Sequence, residues 1–102
     1  MEVHRVGELP VGAVAAAAEF YAKVLPEIVP PFSVEDLVVV FPPAPYDHRA
    51  WRLAAVQDLA RAAAPARVNG IVGDEEAAIA ETLDYLASAP GITGQLLAVG
   101  PV

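Results

Sequence analysis

Cysteine, basic residues and aromatic residues are scarce in this sequence. Its 102 residues include no cysteine, six Lys or Arg, one Trp, three Tyr and three Phe. Without cysteine, a disulfide framework, a thiolate nucleophile and a zinc–sulfur site are all excluded. The lack of cysteine also fits a reducing compartment, and we predict a cytoplasmic location.

The shortage of basic residues argues against nucleic acid as a partner. The 13 acidic residues outnumber the six basic ones, and the formal net charge is −7. The last basic residue is Arg67, and every charged side chain after it is acidic. Because binding to phosphates requires clustered Lys and Arg, we expect no nucleic-acid partner.

Small apolar side chains are abundant. Hydrophobic residues make up 56% of the chain, and 21 residues are alanine. A chain of this length buries roughly 60–65% of its unfolded surface, so we predict a single domain over residues 1–102. The apolar run Leu9–Ala18 lies between Glu8 and Glu19, whereas a signal peptide begins with a basic region. We expect no membrane partner.

Helical and strand-like segments alternate along the chain. Apolar residues at three- and four-residue steps (Val14, Ala18, Tyr21, Leu25) predict a first helix. The predicted helices are Val11–Val29, Asp47–Pro65 with Asp47 as N-cap, and Asp74–Pro90; the predicted strands are Leu37–Phe41, Arg67–Gly73 and Gln95–Val99, with a fourth if Glu2–Val6 forms one. This alternation predicts right-handed crossovers and a mostly parallel sheet with helices on both faces, which is a three-layer α/β fold.

Several segments occur in a familiar order. Tyr46 opens a long helix, Arg67-Val68-Asn69 begins a strand, Leu86-Ala87-Ser88 ends a helix, and Ile92-Thr93-Gly94-Gln95 leads into the last strand. This order resembles the C-terminal half of the short-chain dehydrogenase/reductase family. The resemblance implies half of a Rossmann-like fold, truncated and degenerate.

The cofactor and serine motifs of that family are missing. Its cofactor site is a glycine-rich turn, but Gly7 and Gly12 are the only glycines before Gly70. Where the family has its catalytic serine, after the strand Leu37–Phe41, this chain reads Pro42-Pro43-Ala44-Pro45. Ser33 precedes the strand and so lies at its opposite end. We therefore expect no cofactor.

The resemblance makes Tyr46 a possible relic of the family's catalytic tyrosine. The family's lysine would stand four residues later, where this chain has Ala50. A free tyrosine titrates near about 10 and needs a nearby cation to act at neutral pH. Arg49 points about 100° away on a helix and does not replace the lysine. We assign no catalytic residue and expect no dehydrogenase chemistry from this chain alone.

Other candidate sites have simpler explanations. His4 and His48 are the only histidines, and their spacing from carboxylates matches no metal-ligand pattern, so we expect no metal. The carboxylates of Asp74-Glu75-Glu76 suit the positive end of a helix. For Pro42–Pro45, a shortened loop is favoured over a polyproline recognition segment.

The aromatic residues on the alanine-rich helices suit either a core or an interface. In the resembled family the two corresponding helices pack against the same pair of a second subunit. The predicted interface residues are Phe20, Tyr21, Trp51, Ala55 and Leu59. We therefore predict a homo-oligomer, a dimer or tetramer, acting as a non-catalytic structural or regulatory module. The alternative is one part of an NAD(P)-dependent oxidoreductase, completed by a subunit that supplies the nucleotide-binding half.

Overall fold

Parallel strands alternate with helices in the computed structural model, which describes residues 1–28 and 35–100. The elements, in chain order, are β1 (Glu2–Arg5), α1 (Ala13–Glu19), a π-helical segment (Phe20–Val24), α2 (Leu25–Ile28), β2 (Leu37–Phe41), a 3₁₀ turn (Tyr46–His48), α3 (Arg49–Ala63), β3 (Val68–Val72), α4 (Glu76–Ala87) and β4 (Leu96–Ala98). The predicted α/β fold is confirmed, and the strand bounds differ from the predicted ones by at most one residue at either end.

The four strands form one parallel sheet in the order β1-β2-β3-β4. Its strands pair over long sequence separations, since Glu2 is level with Leu37, Leu37 with Val68, and Gly70 with Leu96. The segment Glu2–Val6, a possible fourth strand in the sequence, forms β1 over Glu2–Arg5. Among the described residues β1 pairs only with β2, so β1 is an edge of the sheet.

The continuous apolar run of β2 is buried on both faces, as its sequence predicts. Leu37, Val39 and Phe41 point into one apolar cluster, which also holds residues of α2 and α3. Val38 and Val40 point into a second cluster, which is built with α4. The sheet is therefore the middle of three layers.

The distribution of the helices corrects one expectation. The helices α2 and α3 cover one face, together with the π-helical segment, whereas α4 covers the other. The strands nevertheless follow each other across the sheet in one direction. If every strand-helix-strand crossover had the same hand, all connecting helices would lie on one face of this sheet. The crossover through α4 therefore has the opposite hand from the two before it. The expectation of right-handed crossovers throughout is therefore wrong.

Pro26 accounts for the π-helical segment in the first helical region. A proline inside an α-helix lacks an N–H and clashes with the carbonyl four residues before it. Just ahead of Pro26 the Leu25 N–H bonds to the Phe20 carbonyl, five residues back, which widens the turn. The helical region begins at Ala13, two residues after the predicted start, and continues past Pro26 by way of this wider turn. Its predicted end at Val29 lies outside the described residues, as does Ser33.

The predicted apolar stripe of this helix is mostly wrong, because Val14, Ala18 and Tyr21 are exposed and only Leu25 is partly buried. Val14 is 87% exposed, whereas Ala16 and Phe20, one turn apart, are fully buried. Four consecutive alanines (Ala15 to Ala18) give almost no contrast between the faces, so the period alone did not identify the buried face.

The starts of the other two helices differ in how they are capped. Asp47 does not cap α3, because it lies within the 3₁₀ turn and no side chain caps the helix. In α4 the carboxylate of Glu75 accepts bonds from the Ala77 and Ala78 N–H groups. This confirms the predicted role of the acidic cluster at the start of α4. No helix among the residues described is long and apolar enough to cross a membrane.

Candidate functional site

The relic position Tyr46 is largely exposed, and it lines a small cavity at the carboxyl ends of the strands. Its side chain is 87% exposed and lies in the 3₁₀ turn before α3. Ala50, one helical turn later, supplies no cation, and Arg49 is also exposed. The structure therefore does not assemble the tyrosine–lysine pair on which the family's chemistry depends.

Two cavities lie nearby, at the carboxyl edge of the sheet. The smaller has a volume of about 150 Å³, with apolar walls from Ala44, Pro45, Val72, Leu96 and Ala98. The larger, of about 470 Å³, lies between the loop after β1 and the proline segment after β2. Open α/β sheets bind ligands at this edge, so these cavities form the candidate site.

His48, at the start of α3, is buried and bonded through both ring nitrogens. The Trp51 indole N–H donates to His48 Nδ1 over 3.2 Å. Nε2 therefore donates to the Val11 carbonyl at 2.8 Å, which joins α3 to the loop before α1. The described residues contain no group of three potential metal ligands.

Arg52 lines both cavities and is only 3% exposed. Its guanidinium lies 4.9 Å from the centre of the Phe41 ring and 5.5 Å from that of Trp51. Nη1 donates to the Pro42 carbonyl over 2.7 Å, but Nε has no hydrogen-bond partner in the described part of the chain. Burial lowers the pKa of the Arg52 guanidinium, although arginine stays charged in proteins.

The charge of Arg52 is also uncompensated. No carboxylate of residues 1–28 or 35–100 lies within ion-pair distance of it. A buried charge without a partner is costly, and residues retained in that condition cluster at functional sites. Arg52 is not among the site residues predicted from the sequence. The only available signal was a basic residue next to the apolar face of α3, three residues after Arg49.

The five predicted interface residues fall into two groups. Phe20, Ala55 and Leu59 are buried inside the protomer, where Phe20 packs 5.6 Å from Phe41 and 5.4 Å from Trp51, measured between ring centres. Phe20 has no accessible surface, whereas Ala55 and Leu59 are largely buried but line an apolar groove between α2 and α3, so the interface stays a prediction. Tyr21 is 39% exposed and Trp51 is partly buried, so both keep some accessible surface.

A shallow apolar groove lies on the outer side of the same helices. It has a volume of about 380 Å³ and runs between α2 and α3, and almost all of its wall is apolar. Its apolar lining comes from Tyr21, Leu25, Pro26, Ala55, Leu59 and Ala62. Burial and the nearby charge of Asp58 raise the pKa of Tyr21, so its hydroxyl stays protonated at neutral pH.

At the opposite edge of the sheet, where the strands have their amino ends, Arg67 joins several segments of the chain. Its backbone N–H and Nε donate to the Asp36 carboxylate, at 2.7 and 3.1 Å, and Nη2 lies 2.9 Å from the same group. Nη1 donates to the carbonyls of Leu86, Ala89 and Ile92, at the end of α4 and just beyond it. These donations from Arg67 lower the pKa of Asp36, against the opposing effect of burial.

The segments Arg67-Val68-Asn69 and Ile92-Thr93-Gly94-Gln95 bind each other at this edge. The Asn69 amide donates to the Ile92 carbonyl, and its oxygen accepts the Gln95 N–H. The Thr93 hydroxyl accepts the Val68 N–H at 3.1 Å. The Arg-Val-Asn and Ile-Thr-Gly-Gln segments are therefore a structural lock between β3 and the approach to β4.

Comparison with known proteins agrees with this architecture. The family model described as "Short chain dehydrogenase-like protein" matches residues 4–99. The chain belongs to this family. No curated protein sequence and no solved structure matches the chain.

The residues present do not fit the nicotinamide cofactor that this family implies. A cradle for pyrophosphate needs glycines that let backbone N–H groups approach the ligand closely. Gly7 and Gly12, the glycines that follow β1, face open space and belong to no glycine-rich motif. The carboxyl end of β2 continues into prolines instead of a serine. No hydride-transfer step is therefore assigned to this chain.

Proposed function

We propose that this short chain dehydrogenase-like protein is a non-catalytic module that self-associates through the groove between α2 and α3. The groove is the observation that carries the proposal, because its wall is almost entirely apolar. Apolar surface that is rimmed by polar residues is typical of protein interfaces. For its location we propose the cytoplasm, on the absence of cysteine.

The proposed partner is a second copy of the chain. A two-fold interface places the same patch of both copies in contact, so one groove with an adjoining ridge serves both sides. Tyr21 and Leu25 supply apolar surface, and Asp58, which is ion-paired with Arg61, provides a polar rim. The resembled family uses the corresponding helices for the same purpose, which supports this choice.

The loss of catalysis rests on three positions. Tyr46 is exposed without a neighbouring cation on its helix face, Ala50 replaces the lysine, and prolines follow β2 in place of the serine. Each change removes a different part of the acid–base apparatus. Activity would therefore have to come from groups outside this chain.

Light scattering behind a sizing column tests the self-association at two protein concentrations. We expect a dimer or tetramer for the wild type and a monomer for Ala62→Arg, which adds a charge to an exposed residue of the groove. The matched control is Ala80→Arg, an exposed residue of α4 on the opposite face, which should keep the wild-type mass. Phe20 is unsuitable for this test, because an acidic residue there would unfold the core.

A second candidate is supported by β1, the edge strand. Its outer side has no partner among the described residues, and a parallel edge can pair with another chain. The chain would then complement a subunit that supplies the nucleotide-binding half of an oxidoreductase. A wild-type monomer at both concentrations would overturn the homo-oligomer and favour this second candidate.

A further inference from the structure

We propose that Arg52 anchors a binding site for a small carboxylate with an apolar body. The site is the smaller cavity at the carboxyl edge of the sheet, between the start of α3 and the ends of β3 and β4. This inference is independent of the self-association proposed above, since it concerns a different surface of the protein.

The first argument is the arrangement of donors on Arg52. Nη1 is held by the Pro42 carbonyl, which fixes the plane of the guanidinium. Nε is enclosed and has no acceptor within the described ranges, so a ligand in the cavity cannot reach it directly. Nη2 makes no hydrogen bond within those ranges and is not enclosed in the same way. A carboxylate oxygen is the acceptor that suits such a charged donor.

The second argument is the charge of the cavity. Arg49 and Arg52 both line it, and none of its lining residues is acidic. His48 also lines it, with both of its ring nitrogens in hydrogen bonds to the protein. The α3 helix begins here with no side-chain cap, so its dipole also favours an anion. Although the chain carries a net charge of −7, this cavity is a local cationic region.

The third argument concerns the rest of the ligand. Most of the cavity wall is apolar, with Val72, Leu96 and Ala98 opposite the arginines. Its volume of about 150 Å³ equals that of an engineered apolar cavity that accommodates benzene. Phosphate would leave this apolar wall unused and would need more donors for its oxygens. A carboxylate on a compact hydrocarbon uses both parts of the cavity.

Calorimetric titration of the full chain with benzoate tests the proposal. Benzamide, a neutral molecule of the same shape, and inorganic phosphate are titrated alongside it. We expect saturable binding of benzoate, with benzamide weaker by about tenfold or more because it lacks the charge. Equal binding of benzamide, tighter binding of phosphate, or no saturable heat with benzoate would overturn the proposal.

Variants identify the anchor. Arg52→Lys keeps a positive charge but loses the guanidinium and its Nη2 donor, and we expect it to weaken benzoate binding by about tenfold. Ala98→Leu fills the cavity from the opposite wall and should weaken binding without touching the arginine. Ala87→Leu, at an exposed residue of α4, is the matched control and should bind as the wild type does.

The two kinds of variant keep the test decisive if one fails to fold. Circular dichroism checks the folding of each before titration. If Arg52→Lys is unfolded, Ala98→Leu alone decides the outcome. Unchanged benzoate affinity in a folded Arg52→Lys or in Ala98→Leu would show that benzoate binds elsewhere, and would overturn the assignment.

Discussion

Arg67 and Arg52 are both substantially buried arginines at opposite edges of the same sheet, yet their surroundings differ. Every side-chain nitrogen of Arg67 has an acceptor, supplied by Asp36 and by three carbonyls near the end of α4. Arg52 has one acceptor, the Pro42 carbonyl, and no carboxylate among the described residues. An arginine whose donors all have protein acceptors stabilises the fold. An arginine with an unbonded donor beside a cavity is suited to binding a ligand.

The comparison also explains which parts of the family pattern survive in this chain. The motif segments that remain, around Asn69 and Thr93, are those that bind each other at the Arg67 edge. The catalytic serine, the lysine and the cofactor glycines, which belong to the opposite edge, are missing. The family resemblance therefore rests on residues that hold the sheet together, and not on the serine, lysine and glycine motifs.

The largest effect is expected from Arg67→Met. This change removes the side-chain donors to the Asp36 carboxylate and to the carbonyls of Leu86 and Ala89, while Asp36 keeps the backbone N–H of residue 67. We expect a loss of about 3 kcal/mol in the free energy of unfolding, since breaking a largely buried pair leaves polar groups unsatisfied. Urea denaturation measures it. Arg61→Met, which removes an exposed pair with Asp58, is the control and should change stability by less than about 0.5 kcal/mol. Similar losses in both variants would contradict the structural role of Arg67.

A smaller effect, dependent on pH, is expected from Asp36→Asn. The pKa of Asp36 is lowered in the folded protein, so its charge stabilises the fold fully above the unfolded pKa of about 3.9. That contribution disappears as the pH falls through the lower folded pKa. Because the Asp36 side chain is 35% exposed, solvent screening limits the loss at pH 7 to about 1 kcal/mol.

The measurement for Asp36→Asn is the free energy of unfolding of both proteins between about pH 7 and pH 2. The difference between wild type and variant should stay constant down to about pH 5 and shrink below about pH 4. In the Arg67→Met background this difference should be smaller but not absent, because the backbone N–H of residue 67 still donates to the Asp36 carboxylate. A difference that does not change with pH would mean that Asp36 acts through its shape and not its charge.

The smallest effect on stability is expected from Arg52→Met. Methionine keeps contact with the Phe41 and Trp51 rings and removes the cost of burying an uncompensated charge. We expect the free energy of unfolding to stay equal or rise by up to about 1 kcal/mol. Thermal unfolding with and without benzoate checks this. Benzoate should raise the Tm of the wild type only, and a loss like that of Arg67→Met would show that Arg52 is structural.

Most of the fold could be predicted from local patterns. The unbroken apolar run of Leu37–Phe41, flanked by acids and prolines, gave a buried strand with the correct bounds. The acidic residues predicted to suit the start of α4 lie there, and one of them, Glu75, caps the helix. The hand of the last crossover could not be read in this way, because it depends on which face of the sheet α4 covers, and an amphipathic helix suits either face.

The site was predictable only in part. The loss of the serine and lysine is visible in the sequence at Pro42–Pro45 and at Ala50. The buried position of Arg52 is not, because it depends on how the ends of β2, β3 and β4 close around α3. Phe20 was ambiguous for a similar reason, since the alanines before it give no clue to which face of α1 meets the sheet. Burial is a property of the assembled layers.

Because β2 is buried on both faces of the folded sheet, both faces of its apolar run are exposed in the unfolded chain. Every strand pairing in this sheet joins distant segments, so no local hairpin protects the run Leu37–Phe41 as it is made. An uncharged run of β-branched and aromatic residues is the kind of segment that stacks between copies of an unfolded chain. Glu35 and Asp36 before it, and Pro42 and Pro43 after it, act as gatekeepers, because charge and proline both limit how far an intermolecular sheet can extend.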